Sequence, residues 1–232
     1  MTAPGSGEFD VVRHPRARRT KLSFDPLTGR ARLTLPPRAS VERAVAWARG
    51  QQAWIARQRD AMPQPRPFLP GATIPVEGTD LLIVHDADAA RLPVVAGERL
   101  VIGGPAEMVE RRVAAWLKRR ALALLEAETA FYAARAGVTV SRVAIGDPRG
   151  RWGSCAHDGT IRYSWRLILA PPEVRRATVA HEVAHRLHMD HSPAFHAAVE
   201  RLFGRDPRAE RTWLRAHGAA LHWFGRSESR SG

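Results

Sequence analysis

Ten histidines occur in this 232-residue chain, and four of them fall within eleven residues, His181 to His191, reading H-E-V-A-H-R-L-H-M-D-H. On a helix, His181 and His185 lie one turn apart on one face, so their rings can converge on one ion. Two neutral imidazoles at i and i+4, with Glu182 beside the first, form H-E-x-x-H, a pattern that holds a metal on a helix with a carboxylate next to it. Zinc then takes a third protein ligand and keeps one position open for water. His188 and His191 are the nearest candidates. On a continuing helix, His188 would face the same way but sit about 10 Å along the axis from His181, at ~1.5 Å per residue. That is too far for two bonds of about 2 Å to one ion. Ser192 is a good N-cap and Pro193 a good first helical residue, so a new helix is expected there. His191 then lies in the elbow between two helices. The metal set is His181, His185 and His191, with His188 in reserve as third ligand. H-E-x-x-H arises by accident in roughly 2% of chains of this composition, and a further His six residues on lowers that to about one in a thousand.

Zn²⁺ suits three imidazoles and lowers the pKa of a bound water to roughly 7. Glu182 projects about 100° round the helix from His181 and can reach that water without binding the metal. Its expected role is general base toward the water, then proton donor to a leaving amine. Tyr163, Arg166, His157 and His196 are candidates for a second donor to the oxyanion. A ligating histidine usually donates its other ring N–H to an acceptor; Asp190 and Glu200 are candidates for that acceptor, and His196 is a further candidate to stand behind the ligands. Arg151, Trp152 and Gly153 are expected to shape a hairpin, and Cys155 to be a small buried hydrophobe.

The rest of the chain must position that stretch. Pro171-Pro172-Glu173 opens the helix that carries His181, with Pro in its first turn and Glu173 suited to its dipole. Val179, Val183 and Leu187 are expected to pack inward behind the ligand face. After Ser192, a helix is expected from Pro193 to Phe203, ended by Gly204, and a final one near Arg208–Leu221 that packs Trp213 and Leu214. Upstream, Val138–Ile145 and Thr160–Leu169 read as strands, the second a candidate to pair with an extended peptide. A long helix from about Ala106 to Ala136, ended by Gly137, bridges into this part.

Nearer the N-terminus, Lys21–Phe24 and Ala31–Leu35 flank a turn at Asp25–Gly29 and read as a hairpin, with Phe9 and Val11 continuing the strand pattern. Ser40 caps one helix reaching about Arg59, in which Trp47 and Trp54 are packing residues. Pro63, Pro65, Pro67 and Pro70 mark a linker. Short strands follow at Ala72–Ile74, Leu81–Val84, Leu92–Val95 and Leu100–Ile102. The fold class is α+β. Its expected parts are a loose N-terminus at 1–8, a β-rich N-terminal region with one helix at 9–105, a metal domain at 106–225 and a loose tail at 226–232.

Composition is that of a soluble globular protein, 44% hydrophobic and 25% charged. No apolar run is long enough to span a membrane, and the N-terminal residues lack an apolar signal core. The single cysteine, Cys155, excludes an internal disulfide and fits a reducing, cytoplasmic setting. The net charge of +13, nearly all arginine, makes nucleic acid or an acidic partner a candidate. No G-x-x-x-x-G-K phosphate loop occurs.

R-W-G-S-C at Arg151–Cys155, G-T-I at Gly159–Ile161, W-R-L-I-L-A-P-P at Trp165–Pro172, H-E-V-A-H at His181–His185 and H-S-P-A-F at His191–Phe195 together resemble the YgjP-like metallopeptidases, which are related to the SprT-like and WLM proteins. The match is close over about residues 149–196, with the blocks in the family's order and spacing. The chain departs from the family at Ser164, where Asn is usual, at His196, where an aromatic is frequent, and at Ala177-Thr178, where an aromatic-aliphatic run is common. The resemblance implies a zincin-like metal domain without fixing its substrate; with Zn²⁺ and Glu182, the leading reading is a metallopeptidase acting on a peptide or protein substrate. A nucleotide-pyrophosphatase label attached to some members keeps a phosphoanhydride substrate as the alternative. A basic nucleic-acid-binding protein with a structural zinc is the third reading, opposed by Glu182 and by a ligand set of three where structural sites use four.

Overall fold

The structure, a computed structural model, describes residues 8–227. Of the loose ends expected at 1–8 and 226–232, residues 1–7 and 228–232 lie outside the described residues. Glu8 is described, and its carboxylate accepts hydrogen bonds from Arg49 and Gln52, each at 3.0 Å. The chain forms two compact units, residues 1–64 and 65–232. No helix among the described residues is long and apolar enough to cross a membrane.

The first unit is a three-stranded sheet with two short helices. Strands β1 (Asp10–Arg13), β2 (Lys21–Asp25) and β3 (Arg30–Leu35) lie in the order β1-β3-β2. The hairpin expectation holds for β2 and β3, which pair antiparallel, while β1 joins the other side of β3 in parallel. The turn closes as its residues require: the Leu27 N–H bonds the Asp25 carboxylate at 2.8 Å, and Gly29 takes a positive φ of 68°. Val11, Leu33 and Leu35 point to one face and pack with Ala44, Ala48 and Ile55. Ser40 accepts from the Arg43 N–H and starts α1 (Val41–Arg49). The single helix expected from Ser40 to about Arg59 is two, because the chain turns at Gly50 before α2 (Gln52–Asp60). Glycine has little to lose in leaving a helix there. Trp47 is also not a packing residue: it is exposed, while Trp54 packs against this small core.

The second unit holds the rest. Strands β4 (Thr73–Val76), β5 (Thr79–His85), β6 (Val94–Ala96) and β7 (Arg99–Ile102) form a sheet in the order β4-β5-β7-β6. A 3₁₀ turn at Ala106–Met108 leads into α3 (Val109–Ala136), which ends at Gly137 in the left-handed region, the usual glycine terminus of a helix. Inward residues of the sheet, among them Ile74, Ile83 and Leu100, share one core with Val113, Leu117 and Leu125 of α3. The β-rich middle therefore belongs with the downstream domain, and the region expected at 9–105 divides near residue 64. Its strands have one apolar face each, and the long helix is what covers it.

Strands β8 (Arg142–Gly146), β9 (Gly153–Cys155) and β10 (Thr160–Ser164) form a third sheet in the order β8-β10-β9. The strand expected at Thr160–Leu169 stops at Ser164. The Ser164 hydroxyl accepts from the Arg166 N–H at 3.3 Å and caps a buried 3₁₀ turn over Trp165–Leu169. With β8 on one side and β9 on the other, β10 has no free edge for a peptide. Three helices complete the unit: α4 (Pro172–Ala184), α5 (Pro193–Phe203) and α6 (Arg208–Leu221).

One polar brace ties α6 to the third sheet. Arg166, nearly buried, donates to both carboxylate oxygens of Asp147 at 2.7 and 2.9 Å and to the carbonyls of Leu221 and Phe224 at 2.8 and 2.9 Å. His222 Nδ1 lies 3.6 Å from the same carboxylate. Burial alone would push the Asp147 carboxyl up. The His222 ring beside it and the hydrogen bonds from Arg166, with the guanidinium charge, outweigh it and hold the carboxyl well below the usual carboxylate range. A carboxyl depressed in the folded state stabilises it above the unfolded pKa of about 3.9 and loses that contribution as pH falls toward the folded value. Thermal melts from pH 6 down to about pH 2 are expected to show wild type well above Asp147→Asn at the top of that range, the gap closing below about pH 4. A gap independent of pH would contradict the assignment.

Candidate active site

Helix α4 is buried on nearly all sides. Val179, Ala180 and Val183 are fully covered, so the helix has no freedom to rotate its polar residues away. Leu187 does not join them as expected. It lies past the end of α4 and is exposed, because the helix closes with a tight turn in which the His188 N–H bonds the Ala184 carbonyl at 3.0 Å. That turn settles the histidines. The His188 carbonyl swings back to within 3.1 Å of His185 Nδ1, which directs the other ring nitrogen of His185 into the site. Asp190 accepts from the Ser192 N–H at 3.2 Å, and Ser192 accepts from the Phe195 N–H at 3.3 Å. The chain thus reverses, and His191 comes back over the helix.

His181, His185 and His191 meet with their ligand atoms all within 4.8 Å of one another, an arrangement that could hold a metal ion. His181 Nε2 and His191 Nε2 are 3.4 Å apart. Bonds of 2.0–2.1 Å in a tetrahedral site place two nitrogens about 3.3 Å apart, so this edge already has the separation a tetrahedral ion needs. Burial lowers the His181 pKa to about 4, helped by its histidine neighbours, and burial lowers that of His185. Both rings are therefore neutral near pH 7, the state that ligates. His188, the reserve ligand, contributes its carbonyl and not its ring. His196 stands at the rim, its ring 6.4 Å from that of His191.

Glu182, 5% exposed, follows His181 on α4. Burial raises its pKa to about 7, against the opposing charge of Arg151. A carboxylate poised there suits proton transfer near neutral pH. Of the oxyanion candidates, Tyr163 is fully buried with its hydroxyl 3.0 Å from Thr129 Oγ1, and Arg166 is spent on the brace. Neither reaches the site as a free donor. Cys155 is outside the histidine group, and burial pushes its thiol up, away from thiolate chemistry.

Two contributors escaped the reading of the sequence. Phe195, read there only as part of the H-S-P-A-F block, packs its ring against all three histidines at 4.9, 4.4 and 4.8 Å between centroids. It backs the imidazoles and restricts their rotation. Gly153, seen as a hairpin residue, lies against Glu182: a Cβ there would come within 2.4 Å of Glu182 Oε1 and 2.5 Å of its Cγ. The H-S-P-A-F and R-W-G-S-C blocks were the available signals, but pairing them with the helix needs the fold. Gly153→Ala is expected to displace Glu182 and to lower turnover by about 10²-fold, with metal content unchanged. Metal content and rate measured on one preparation check this, and an unaffected rate would show that Glu182 need not keep its position.

The helix presents two imidazoles and a carboxylate, with a third imidazole folded back over them, and the three imidazoles could hold a metal ion. The chain belongs to the YgjP-like family, described as "YgjP-like, metallopeptidase domain", which matches residues 18–217. Two solved structures are similar over part of the chain. The metallopeptidase zymogen abylysin of Pyrococcus abyssi has 21% identity, covering 40% of this chain and 92% of that one, with a TM-score of 0.35. Wss1 from Saccharomyces cerevisiae has 18% identity, covering 47% and 84%, with a TM-score of 0.33. No curated protein matched.

Proposed function

We propose that this metallopeptidase is zinc-dependent, with His181, His185 and His191 as ligands, and that it hydrolyses peptide bonds in a peptide or protein substrate with Glu182 as general base. The observation that carries this reading is a buried carboxylate next to a converging set of three imidazoles. A zinc ion held there supplies a Lewis acid and an acidified water. Glu182 takes the proton from the attacking water and passes it to the leaving amine. The three imidazoles are kept in place by α4, by the His188 carbonyl and by the Phe195 ring. Strand β9 lies at one edge of its sheet, and Gly153 at its start touches Glu182. An extended substrate pairing with β9 would bring its backbone alongside that carboxylate.

The test offers zinc-loaded protein unfolded casein, a mixed peptide library and nucleoside triphosphates side by side. New peptide amines are expected, abolished by a chelator and restored by zinc. Release of phosphate or pyrophosphate with no peptide products would replace this reading with the nucleotide one.

Nucleic acid enters as an additional partner, favoured by one observation. Residues 1–64 carry twelve Lys and Arg against five Asp and Glu. Arg16, Arg18, Arg19 and Lys21 of that unit are all exposed. Such a surface supports salt-dependent association with phosphates. A cytoplasmic setting, with Cys155 as a thiol, completes the proposal.

A further inference from the structure

A cavity of about 250 Å³ opens beside the histidines, and His181 and Glu182 are in its lining. Small-molecule sites run from about 300 Å³ upward, so its volume suits a single side chain. Val174, Val199 and Leu214 also line it, and the two valines are buried. Two arginines line it as well, Arg151 just ahead of β9 and Arg211 on α6, and both are exposed. The cavity therefore combines a covered apolar wall with a basic, solvent-facing one. The basic charge is not cancelled from within the chain. Arg151 makes no hydrogen bond or ion pair among the described residues. Arg211 reaches Asp206 only at 3.5 Å, and Asp206 is shared with Arg208 at 3.3 Å. Of the two acidic residues on the cavity, Glu210 already pairs with Arg205. Glu182 is the proposed base, and it becomes neutral as it takes the proton from water. Both guanidinium charges reach the residues of the reacting centre: Arg151 acts on Glu182, and Arg211 acts on His181.

We infer that this cavity takes a substrate side chain with an apolar stem and a carboxylate tip, of the glutamate type, and that Arg151 and Arg211 set that choice. The inference rests on the peptidase reading, because the cavity shares His181 and Glu182 with the reacting centre. The methylenes of such a side chain match the wall of Val174, Val199 and Leu214, and its charge is complementary to both guanidinium groups. An amide of the same length gains the packing alone. An ammonium tip meets two like charges. Because both arginines face solvent, the preference is modest and weakens with salt. Arg151 and Arg211 are specificity residues here and take no part in bond cleavage.

Binding is read apart from hydrolysis on zinc-loaded Glu182→Gln protein, with pentapeptides blocked at both ends. The blocks leave a side chain as the only source of a carboxylate. By calorimetry, a peptide with a central Glu is expected to bind about tenfold more tightly than its Gln counterpart at low salt, with the margin shrinking as salt rises. Changing both Arg151 and Arg211 to Gln should remove the margin. Changing Arg18 and Arg19 to Gln removes the same charge elsewhere and should keep it. A margin that survives without Arg151 and Arg211 means that the carboxylate goes to the metal or to the basic surface at large, and overturns the inference. Equal binding of the Glu and Gln peptides also overturns it. For cleavage, wild type is given a blocked peptide library and the products are sequenced by mass spectrometry. Glu should be enriched at one position beside the cut, and Arg211→Glu should turn that position toward Lys. A variant merely damaged in its fold would lose rate without exchanging the preferred residue. If the binding margin is found and no peptide is cut, the peptidase reading fails and the pocket stands. If peptides are cut with no position enriched in Glu, the pocket assignment fails and the peptidase reading stands.

Discussion

Glu182→Gln is expected to lower peptide turnover by about 10²- to 10⁴-fold while zinc content stays at that of wild type. The amide fills the same space beside Gly153, and it lies outside the ligand set, so neither packing nor metal geometry is disturbed. It cannot accept a proton from water, and that is the step removed. The stability readout separates this from misfolding. Burial disfavours the Glu182 charge, which is why its pKa rises to about 7. Replacing the ionised group with a neutral isostere should leave the melting temperature at pH 8 equal or higher. Loss of activity together with a lowered melting temperature would point to a structural role. Full activity in the glutamine variant would remove Glu182 as the base.

The second large effect concerns the metal. His185→Ala is expected to weaken zinc binding by at least about 100-fold, and His191→Ala to do the same. Both supply an inward-facing ring nitrogen to the cluster. His188→Ala should retain zinc, because that residue acts through its backbone carbonyl on His185 Nδ1, and alanine keeps the carbonyl. Mass spectrometry of the native proteins, with competition against a chelator of known affinity, reads all three. Zinc lost from His188→Ala and kept in His191→Ala would reverse the assignment of the third ligand.

Those expectations show how unevenly the molecule can be read. The i, i+4 histidines and the adjacent glutamate were legible because a helix turns a fixed angle per residue, so spacing alone puts them on one side. The third histidine was legible from the Ser192-Pro193 start signal, a local rule about which residues begin helices. Helices α3 and α5 followed from periodicity and from their glycine ends, α6 from periodicity alone, and the short strands β4 to β7 from alternation between turn residues.

Other features depended on contacts far apart in the chain. Strand β10 became a central strand only because β8 pairs with it in parallel from one side and β9 from the other. Alternation in a sequence does not say which edges are free. The β-rich middle was assigned to its neighbours in sequence, yet its apolar face is buried by α3. Burial follows the available apolar partner, not the chain order. Trp47 and Trp54 have the same composition signal, but only Trp54 packs.

The sequence alone determined the residue types, the helical register of His181, Glu182 and His185, and the reversal that returns His191. Tertiary structure decided the rest: that Phe195 backs the three rings, and that Gly153 leaves room for Glu182. Local chain geometry is set by neighbours in sequence, which can be read off directly. Close packing, desolvation and hydrogen-bond satisfaction are set by groups tens of residues apart, and they exist only once the core has closed.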